Sequence, residues 1–431
     1  MSRASRDRLV ERRRTFHRYP EPGWREFYTT SLLVDELERI ADATDVDLEL
    51  AVGREAMDPE ERMAVPDAAD LEPWFERARE RGARPDVLEA TEGGYTGAVA
   101  RFSRGDGPSI GLRVDVDALF IEEPDDEDHR PAAEGFRSEH EGLMHACGHD
   151  AHVTIGLGTL EAVLEGEFEG TFTVFFQPAE ELGGGGKPMA EGPYAEGLEY
   201  LLAVHVGLDH PTGEVVAGIV EPLAMCHVDA TFVGQSAHAG KAPNEGDNAI
   251  QAVATAVQNA YGIPRHSAGM TRVNVGRIDA GTSSNVIAER ARVAAEARGE
   301  TTELMAYVKG ELRRTFEAAA AMHGCELEFE IESESPRADS DGELVDVIAD
   351  VAADVDGVER VVPTASFGAS EDATFLMQRV QDEGGLASYL IVGTDHPDSH
   401  HTPGFDVDER SLELAVETLA DSIERIAATR P

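Results

Sequence analysis

Lysine is nearly absent from this sequence. Only Lys187, Lys241 and Lys309 are found among 37 basic residues, against 84 acidic ones, for a formal net charge of −47 at pH 7. No basic stripe exists to neutralise phosphates, which excludes nucleic-acid binding. Cysteine is scarce too: Cys147, Cys226 and Cys325 are too few and too scattered for a disulfide framework, so each is read as a thiol. Apolar runs never approach the roughly 20 residues that a membrane span needs, and residues 1 to 14 are charged and lack an apolar signal core. The expectation is a cytoplasmic protein with no membrane association.

What the chain has in excess is carboxylate. Such charge implies disorder where hydrophobic content is low, but here it is 41% and apolar periodicity persists throughout. Acidic residues spread over the whole chain suit concentrated salt, where a Debye length near ~3 Å at 1 M screens self-repulsion. A halophilic protein is expected, destabilised by low-salt buffer. At 431 residues the chain suits two domains with ample core.

Residues 5 to 42 carry apolar positions at helical period, interrupted at Glu21, Pro22 and Gly23, and residues 69 to 91 read as a further helix. Short apolar runs then recur as strands at 96–102, 109–114, 171–176, 200–206 and 388–392. Helical patterns lie between several of them and close the chain at 412–428. Strands alternating with helices predict an α/β sheet with helices on both faces. Between about 223 and 334 the order becomes strand 225–233, helix 248–261, strands 272–278 and 290–298, helix 303–323 and strand 326–331. This β-α-β-β-α-β order predicts a ferredoxin-like domain inserted as a unit into a discontinuous larger domain, 1–222 and 335–431.

In open α/β sheets ligands bind beyond the carboxyl ends of the strands. The polar residues at those ends form a set. Val114 leads into Asp115-Val-Asp117, Phe176 into Gln-Pro-Ala-Glu180-Glu181, Val204 into His205, and Val392 into a loop ending His400-His401. Cys147-Gly-His149-Asp150 precedes a helix, where backbone amides and the helix N-terminus would favour a thiolate. Singly, each has a bland explanation as a turn cap, a hydrogen-bonded histidine or a small buried thiol. Together they are the donor mixture expected for Zn²⁺ or Mn²⁺. Gly183 to Gly186 lacks the Lys-Ser or Lys-Thr of a phosphate loop and reads as a flexible loop at a pocket wall.

The segments MHACGHDAH, FQPAEE, AVHVG, GQSAHAGKAP and HHTPGF resemble the amidohydrolase branch of the M20 metallopeptidases. Longer stretches, including MDPEERMAVPDAADLE and ASEDATFLMQRVQ, resemble the group in that branch that acts on p-aminobenzoyl-glutamate, almost end to end. The resemblance implies a zinc-peptidase-like catalytic domain with a central mixed sheet, and a dimerisation or lid role for the inserted domain. It further implies two divalent metal ions, Mn²⁺ or Zn²⁺, held by Cys147, His149, Glu181, His205 and His401. Glu180 falls on the general base, and Asp117 on the residue that orients the site. His238 falls on a histidine that reaches a partner's active site to stabilise an oxyanion, and Asn285 and Arg298 on holders of the substrate carboxylate, with Arg272 a weaker candidate. His145 and His152 are expected as hydrogen-bond partners of the ligands, and Cys226 and Cys325 as packing residues. Glu371-Asp372 lies in a loop whose family counterpart approaches the site, and helix capping explains it equally well.

The implied activity is hydrolysis of an amide bond in an N-acyl or aroyl amino acid such as p-aminobenzoyl-glutamate. A broader N-acyl-amino-acid, indole-acetyl-amino-acid or hippurate hydrolase is the alternative within that chemistry. Two other classes stand beside it: a cysteine-nucleophile hydrolase built on Cys147, which leaves the glutamate pair unexplained, and a non-catalytic binding subunit of a hetero-oligomer. The expected partner is the same chain or a related subunit, in a dimer.

Overall fold

The computed structural model describes residues 3–431. They form two compact units. The first holds the described residues up to Val220, Ala338–Phe367 and Glu371–Pro431; the second holds Glu221–Arg337 with Gly368–Ser370.

Eight strands make the mixed sheet of the first unit: β1 (Leu48–Val52), β2 (Ala98–Arg104), β3 (Ser109–Asp115), β4 (Gly170–Gln177), β5 (Tyr200–Val206), β6 (Glu214–Val220), β11 (Arg360–Ser366) and β12 (Leu386–Val392). Their order is β1-β2-β4-β3-β5-β12-β6-β11. The middle four, β4, β3, β5 and β12, run parallel. Buried on both faces, they read in sequence as nearly unbroken apolar runs such as TVFF and LLAV. One face is covered by the helices Arg3–Arg18, His149–Glu165 and Arg410–Thr429, the other by Trp24, Met189 and the helix Thr374–Asp382.

The second unit is an antiparallel sheet of β7 (Ala224–Val233), β8 (Thr271–Ala280), β9 (Arg290–Gly299) and β10 (Glu326–Ser335) in the order β10-β7-β9-β8. With the helices Ala249–Ala260 and Thr302–Met322 this is the ferredoxin-like β-α-β-β-α-β arrangement read from the sequence. Strict burial alternation along β7 leaves one face for those helices. Both helices start on side-chain caps: Asn248 accepts from the N–H groups of Ile250 and Gln251, and Thr301 from that of Leu304. Residues 368–370 join this unit through Leu223, whose N–H donates to the Ala369 carbonyl at 2.9 Å.

The structure refines two expectations. Residues 69 to 91 are two helices, Ala68–Glu80 and Pro85–Thr91, because Gly82 at φ +89° ends the first and Pro85 opens the second. Residues 183 to 185 lie in the loop before a short helix, and the loop is closely packed. A Cβ at Gly185 or Gly186 would strike the carbonyls of Pro178 and Asp372, so these glycines allow close backbone packing and lead into the helix Gly186–Ala190. No helix among the described residues is long and apolar enough to cross a membrane.

Candidate metal centre

The carboxyl ends of the four parallel strands deliver the site. Asp115 ends β3, and Asp117 follows; Gln177 ends β4 and a turn carries Glu180 and Glu181; His205 is the penultimate residue of β5; the loop after β12 reaches His401. Cys147 and His149 flank Gly148, the N-cap of the buried helix His149–Glu165. Gly148 has φ +86°, and a Cβ there would lie 2.6 Å from the Val206 side chain, so only glycine fits.

Hydrogen bonds fix which ring nitrogen each histidine offers. His149 donates from Nδ1 to the Asp117 carbonyl at 2.9 Å, which leaves Nε2 buried with no partner. His205 donates from Nδ1 to the Val206 carbonyl at 2.8 Å and turns Nε2 to Cys147 Sγ at 3.5 Å. Each imidazole therefore turns Nε2 to the same cleft. His152 does not: Nδ1 faces Asp115 at 2.5 Å and Nε2 accepts the Val206 N–H at 2.9 Å, so both nitrogens are occupied. His400 is likewise used by the Val206 carbonyl at 3.2 Å. His145 departs from the expectation of a hydrogen-bond partner. Its ring nitrogens meet no group of the protein, and burial keeps it neutral with its pKa pushed down to about 3.

Asp117 holds the carboxylate pair in place. Its two oxygens accept the N–H groups of Glu180 and Glu181 at 3.1 and 3.0 Å. The turn before them needs Ala179 at φ +54°, an uncommon backbone region for a residue with a Cβ. Glu181 Oε1 lies 3.3 Å from His401 Nε2 and 3.9 Å from His149 Nε2, and Glu180 Oε2 lies 3.9 Å from His149 Nε2. His401 itself is tied by its N–H to the Ala146 carbonyl at 2.8 Å.

Divalent cations fit this cleft. The donor atoms of Cys147, His149 and His205 lie within 4.8 Å of one another, as do those of Cys147, Glu181 and His401, and of His149, Glu180 and Glu181. Ligand bonds of about 2.0 to 2.3 Å place donors on one ion roughly 3 to 4 Å apart. Burial opposes the charged form of His149, yet Asp115 and Asp117 outweigh it and lift its pKa to about 10, so a cation at Nε2 takes the place of a proton. Cys147 corrects the expectation of a free thiolate. Burial first, then Glu181 and Glu180, push the thiol well up, so the helix N-terminus does not make it a nucleophile.

Behind Glu180 lies a network that motif reading weighed only at its edge. Arg113, fully buried on β3, pairs with Asp115 at 2.8 Å and with Glu371 and Asp372 at 3.0 Å each. The Tyr389 hydroxyl donates to Glu371 at 2.8 Å. The readable signal was an arginine inside an otherwise apolar parallel strand, where only a paired charge survives burial.

In the second unit the Ala239 N–H, one residue past His238, donates to the Asn285 carbonyl at 3.0 Å; Asn285 and His238 are both exposed. Arg298 is half-buried and pairs with Glu296 on its own strand, from Nε at 2.7 Å. Arg272 stands opposite Arg298 in the register of β8 and β9.

A hydrolase with a metal centre, set at the carboxyl edge of an open α/β sheet, is the class that this fold and donor set define. The chain belongs to peptidase family M20/M25/M40, whose sequence profile matches residues 111–425. It is 40% identical over 416 residues to the indole-3-acetyl-aspartic acid hydrolase of Enterobacter agglomerans, covering 96% of this chain and 94% of that one. It is 39% identical to one of the subunits of the p-aminobenzoyl-glutamate hydrolase of Escherichia coli K12, covering 98% and 97%. A solved aminobenzoyl-glutamate utilization protein from Klebsiella pneumoniae superposes with a TM-score of 0.83 at 35% identity, covering 97% and 95%. The chain is an enzyme, a metal-dependent hydrolase of amide bonds.

Proposed function

We propose that the substrate is an N-acyl, preferentially N-aroyl, amino acid of the p-aminobenzoyl-glutamate type, cleaved at its amide bond. The observation that carries this reading is the donor cluster beside Glu180, in a chain that aligns over nearly its whole length with hydrolases of two such amides. Cys147, His149, Glu181, His205 and His401 hold two divalent ions, Zn²⁺ or Mn²⁺ by the mixture of thiol, imidazole and carboxylate donors. When bound, the ions supply Lewis acidity that polarises the scissile carbonyl and makes water acidic near neutrality. Glu180 takes the proton of the attacking water and delivers it to the leaving amine nitrogen. Asp117 keeps Glu180 and Glu181 in register through their backbone N–H groups.

In the same reading, residues 223–334 form the dimerisation and lid module. His238 stabilises the oxyanion in a partner's site. Asn285 and Arg298 hold the substrate's main-chain carboxylate, which requires Arg298 to exchange its bond to Glu296. The partner is a second copy or a related subunit, and the enzyme works in the cytoplasm of a salt-rich cell. The likeness to the indole-3-acetyl-aspartic acid hydrolase favours a second reading, a broader acyl range.

The test is release of p-aminobenzoate from p-aminobenzoyl-glutamate by the purified chain in high salt with Mn²⁺ or Zn²⁺, beside indole-acetyl and benzoyl amides. Hydrolysis that stops on chelation and returns with metal is expected. No cleavage of any amide, whether or not a related subunit is supplied, or activity indifferent to chelation, sinks the reading.

A further inference from the structure

Residues 21 to 26 interrupt the helical pattern near the start of the chain, and packing gives that break a use. Its last residue, Glu26, is fully buried and is the N-cap of the helix Phe27–Asp42, yet its side chain does not cap that helix. Glu21 does so instead, accepting the Thr29 N–H at 2.8 Å. Glu26 reaches away from its own helix to the turn that carries the glutamate pair, where Oε1 accepts the Ala179 N–H at 2.8 Å. Its other oxygen, Oε2, lies 2.5 Å from the Thr96 hydroxyl. The buried carboxylates Asp115 and Asp150 are held by buried arginines. Glu26 forms no ion pair among the described residues, and Arg25 beside it gives an N–H to the Gly23 carbonyl at 3.0 Å.

Three successive N–H groups, of Ala179, Glu180 and Glu181, thus go to two buried carboxylates, the first to Glu26 and the next two to Asp117. The segment 21–26 joins both holders. The Glu21 carbonyl accepts the N–H of Ala118, the residue after Asp117, at 2.9 Å. A Cβ at Gly23 would lie 3.0 Å from Ala179 Cα and 2.8 Å from the Leu182 side chain, so the segment packs directly on the turn. On its other side the Thr30 hydroxyl donates to the Glu26 carbonyl at 2.6 Å and accepts the N–H of Gly97, next to Thr96, at 3.0 Å. A Cβ at Gly97 would strike the Phe176 carbonyl, close to where β4 runs into the turn. Non-glycine residues with left-handed backbone stand on both sides of this contact, Trp24 at φ +63° and Ala179 at φ +54°. Such backbone persists only where its surroundings over-determine it, and a buried N–H received by a carboxylate does so.

We propose that Glu26 is a positioning residue for the general base: by accepting the Ala179 N–H it holds the left-handed backbone from which Glu180 projects towards the metal donors. The proposal rests on the reading of Glu180 given above. Glu180 follows Ala179 directly, and its Oε2 lies 3.9 Å from His149 Nε2. Glu181 is held in addition by His401 at 3.3 Å, so loss of Glu26 loosens the base before the ligand. Burial first, then Asp117, raise the pKa of Glu26 well above the usual carboxylate range, so a neutral amide of the same shape suits the place.

The experiment compares Glu26→Ala and Glu26→Gln with the wild type, metal-loaded and in high salt. It reads hydrolysis of p-aminobenzoyl-glutamate, metal content, and hydrogen exchange followed by mass spectrometry. In Glu26→Ala kcat should fall by on the order of 10- to 10²-fold, with KM and metal content little changed. Exchange should quicken in the peptide spanning residues 176–184 and not across the rest of the sheet. Glu26→Gln should recover most of the rate and of the protection, because its amide oxygen accepts the Ala179 N–H and its amide nitrogen donates to the Thr96 hydroxyl. Unchanged exchange in that peptide, a fall in kcat no larger than metal loss explains, or a glutamine variant no better than the alanine one overturns the role. If Glu26→Ala does not fold, Glu26→Asp, one methylene short of Ala179, decides by the same comparison. Exchange is read whether or not any amide is cleaved, which separates the two failures: a chain that cleaves none sinks the functional reading, whereas unchanged exchange sinks this one.

Discussion

Glu180 and Glu181 are neighbours in the chain with opposite proton affinities. Burial raises both. For Glu180 the nearby Glu371 and Glu181 add to it and its pKa stands well above the usual carboxylate range, whereas His401 and His149 outweigh burial for Glu181 and lower it. The two surroundings push the proton affinities of the pair apart, which suits a proton carrier beside a ligand. Glu180→Gln should lower kcat by on the order of 10² to 10⁴-fold and leave metal content unchanged by mass spectrometry. A variant that loses its metal, or keeps its rate, removes Glu180 from that role. The motif Cys147-Gly-His149 and the glutamate pair were legible in the sequence because donor types and spacing are local. The histidine tautomers were not, since they depend on backbone carbonyls that the packing of strands and loops brings to each ring.

At the scale of elements, the helix His149–Glu165 and its N-cap carry the tightest constraint. Gly148→Ala must distort a left-handed residue and displace Val206, and should cost about 1 to 3 kcal/mol, read as a lower thermal midpoint together with weaker metal retention. An unchanged midpoint would show that the loop yields. The sequence located the five buried or strongly patterned strands of the first unit, but not β1, β6 and β11. β11 is an edge strand interrupted by Pro363, acceptable only because one side of an edge needs no donor, and β1 is short and half-exposed. Neither carries the apolar run that marks a central strand.

A second element-scale prediction concerns the buried contact between the first helix and the loop at 123. His17 lies between Asp150 at 2.8 Å and Glu123 at 2.9 Å, with Arg13 beside it. Burial and Arg13 oppose the charged imidazole, but its two carboxylate hydrogen bonds win and lift its pKa to about 9; burial opposes the charged Glu123 as well, and His129 and His17 bring it down to about 2. The His17 contribution to stability is therefore complete below its unfolded value near 6.5 and is lost as pH rises through 9. That of Glu123 is complete above its unfolded value near 4.5 and is lost as pH falls through 2. Both are present between about 4.5 and 6.5. The thermal midpoint should fall between pH 7 and 9.5 by an amount worth up to about 3 kcal/mol, and His17→Gln should flatten that fall. Parallel pH profiles for the two proteins would refute the assignment.

For the whole molecule, charge sets the working conditions. A net charge of −47 on 431 residues repels itself wherever salt does not screen it. The thermal midpoint should rise steadily between 0.1 and 3 M KCl, and low salt should give partial unfolding by circular dichroism; a midpoint indifferent to salt would remove the halophilic reading. The two units should also respond differently, since the exposed face of the second unit is rich in carboxylates along β10, while the first unit draws its buried carboxylates into ion pairs with Arg13 and Arg113.

By itself the sequence determined the class of fold, the family and most donor types, because strand runs, helical periods and motif spacing are properties of neighbouring residues. It also determined the electrostatic character of the molecule, which is a sum and needs no coordinates. Only the tertiary structure decided which nitrogens face the cleft, that burial and the Glu180–Glu181 turn raise the proton affinity of Cys147, and that Arg113 anchors Glu371. Each of these depends on groups far apart in the chain, brought within a few ångströms by the packing of the sheet.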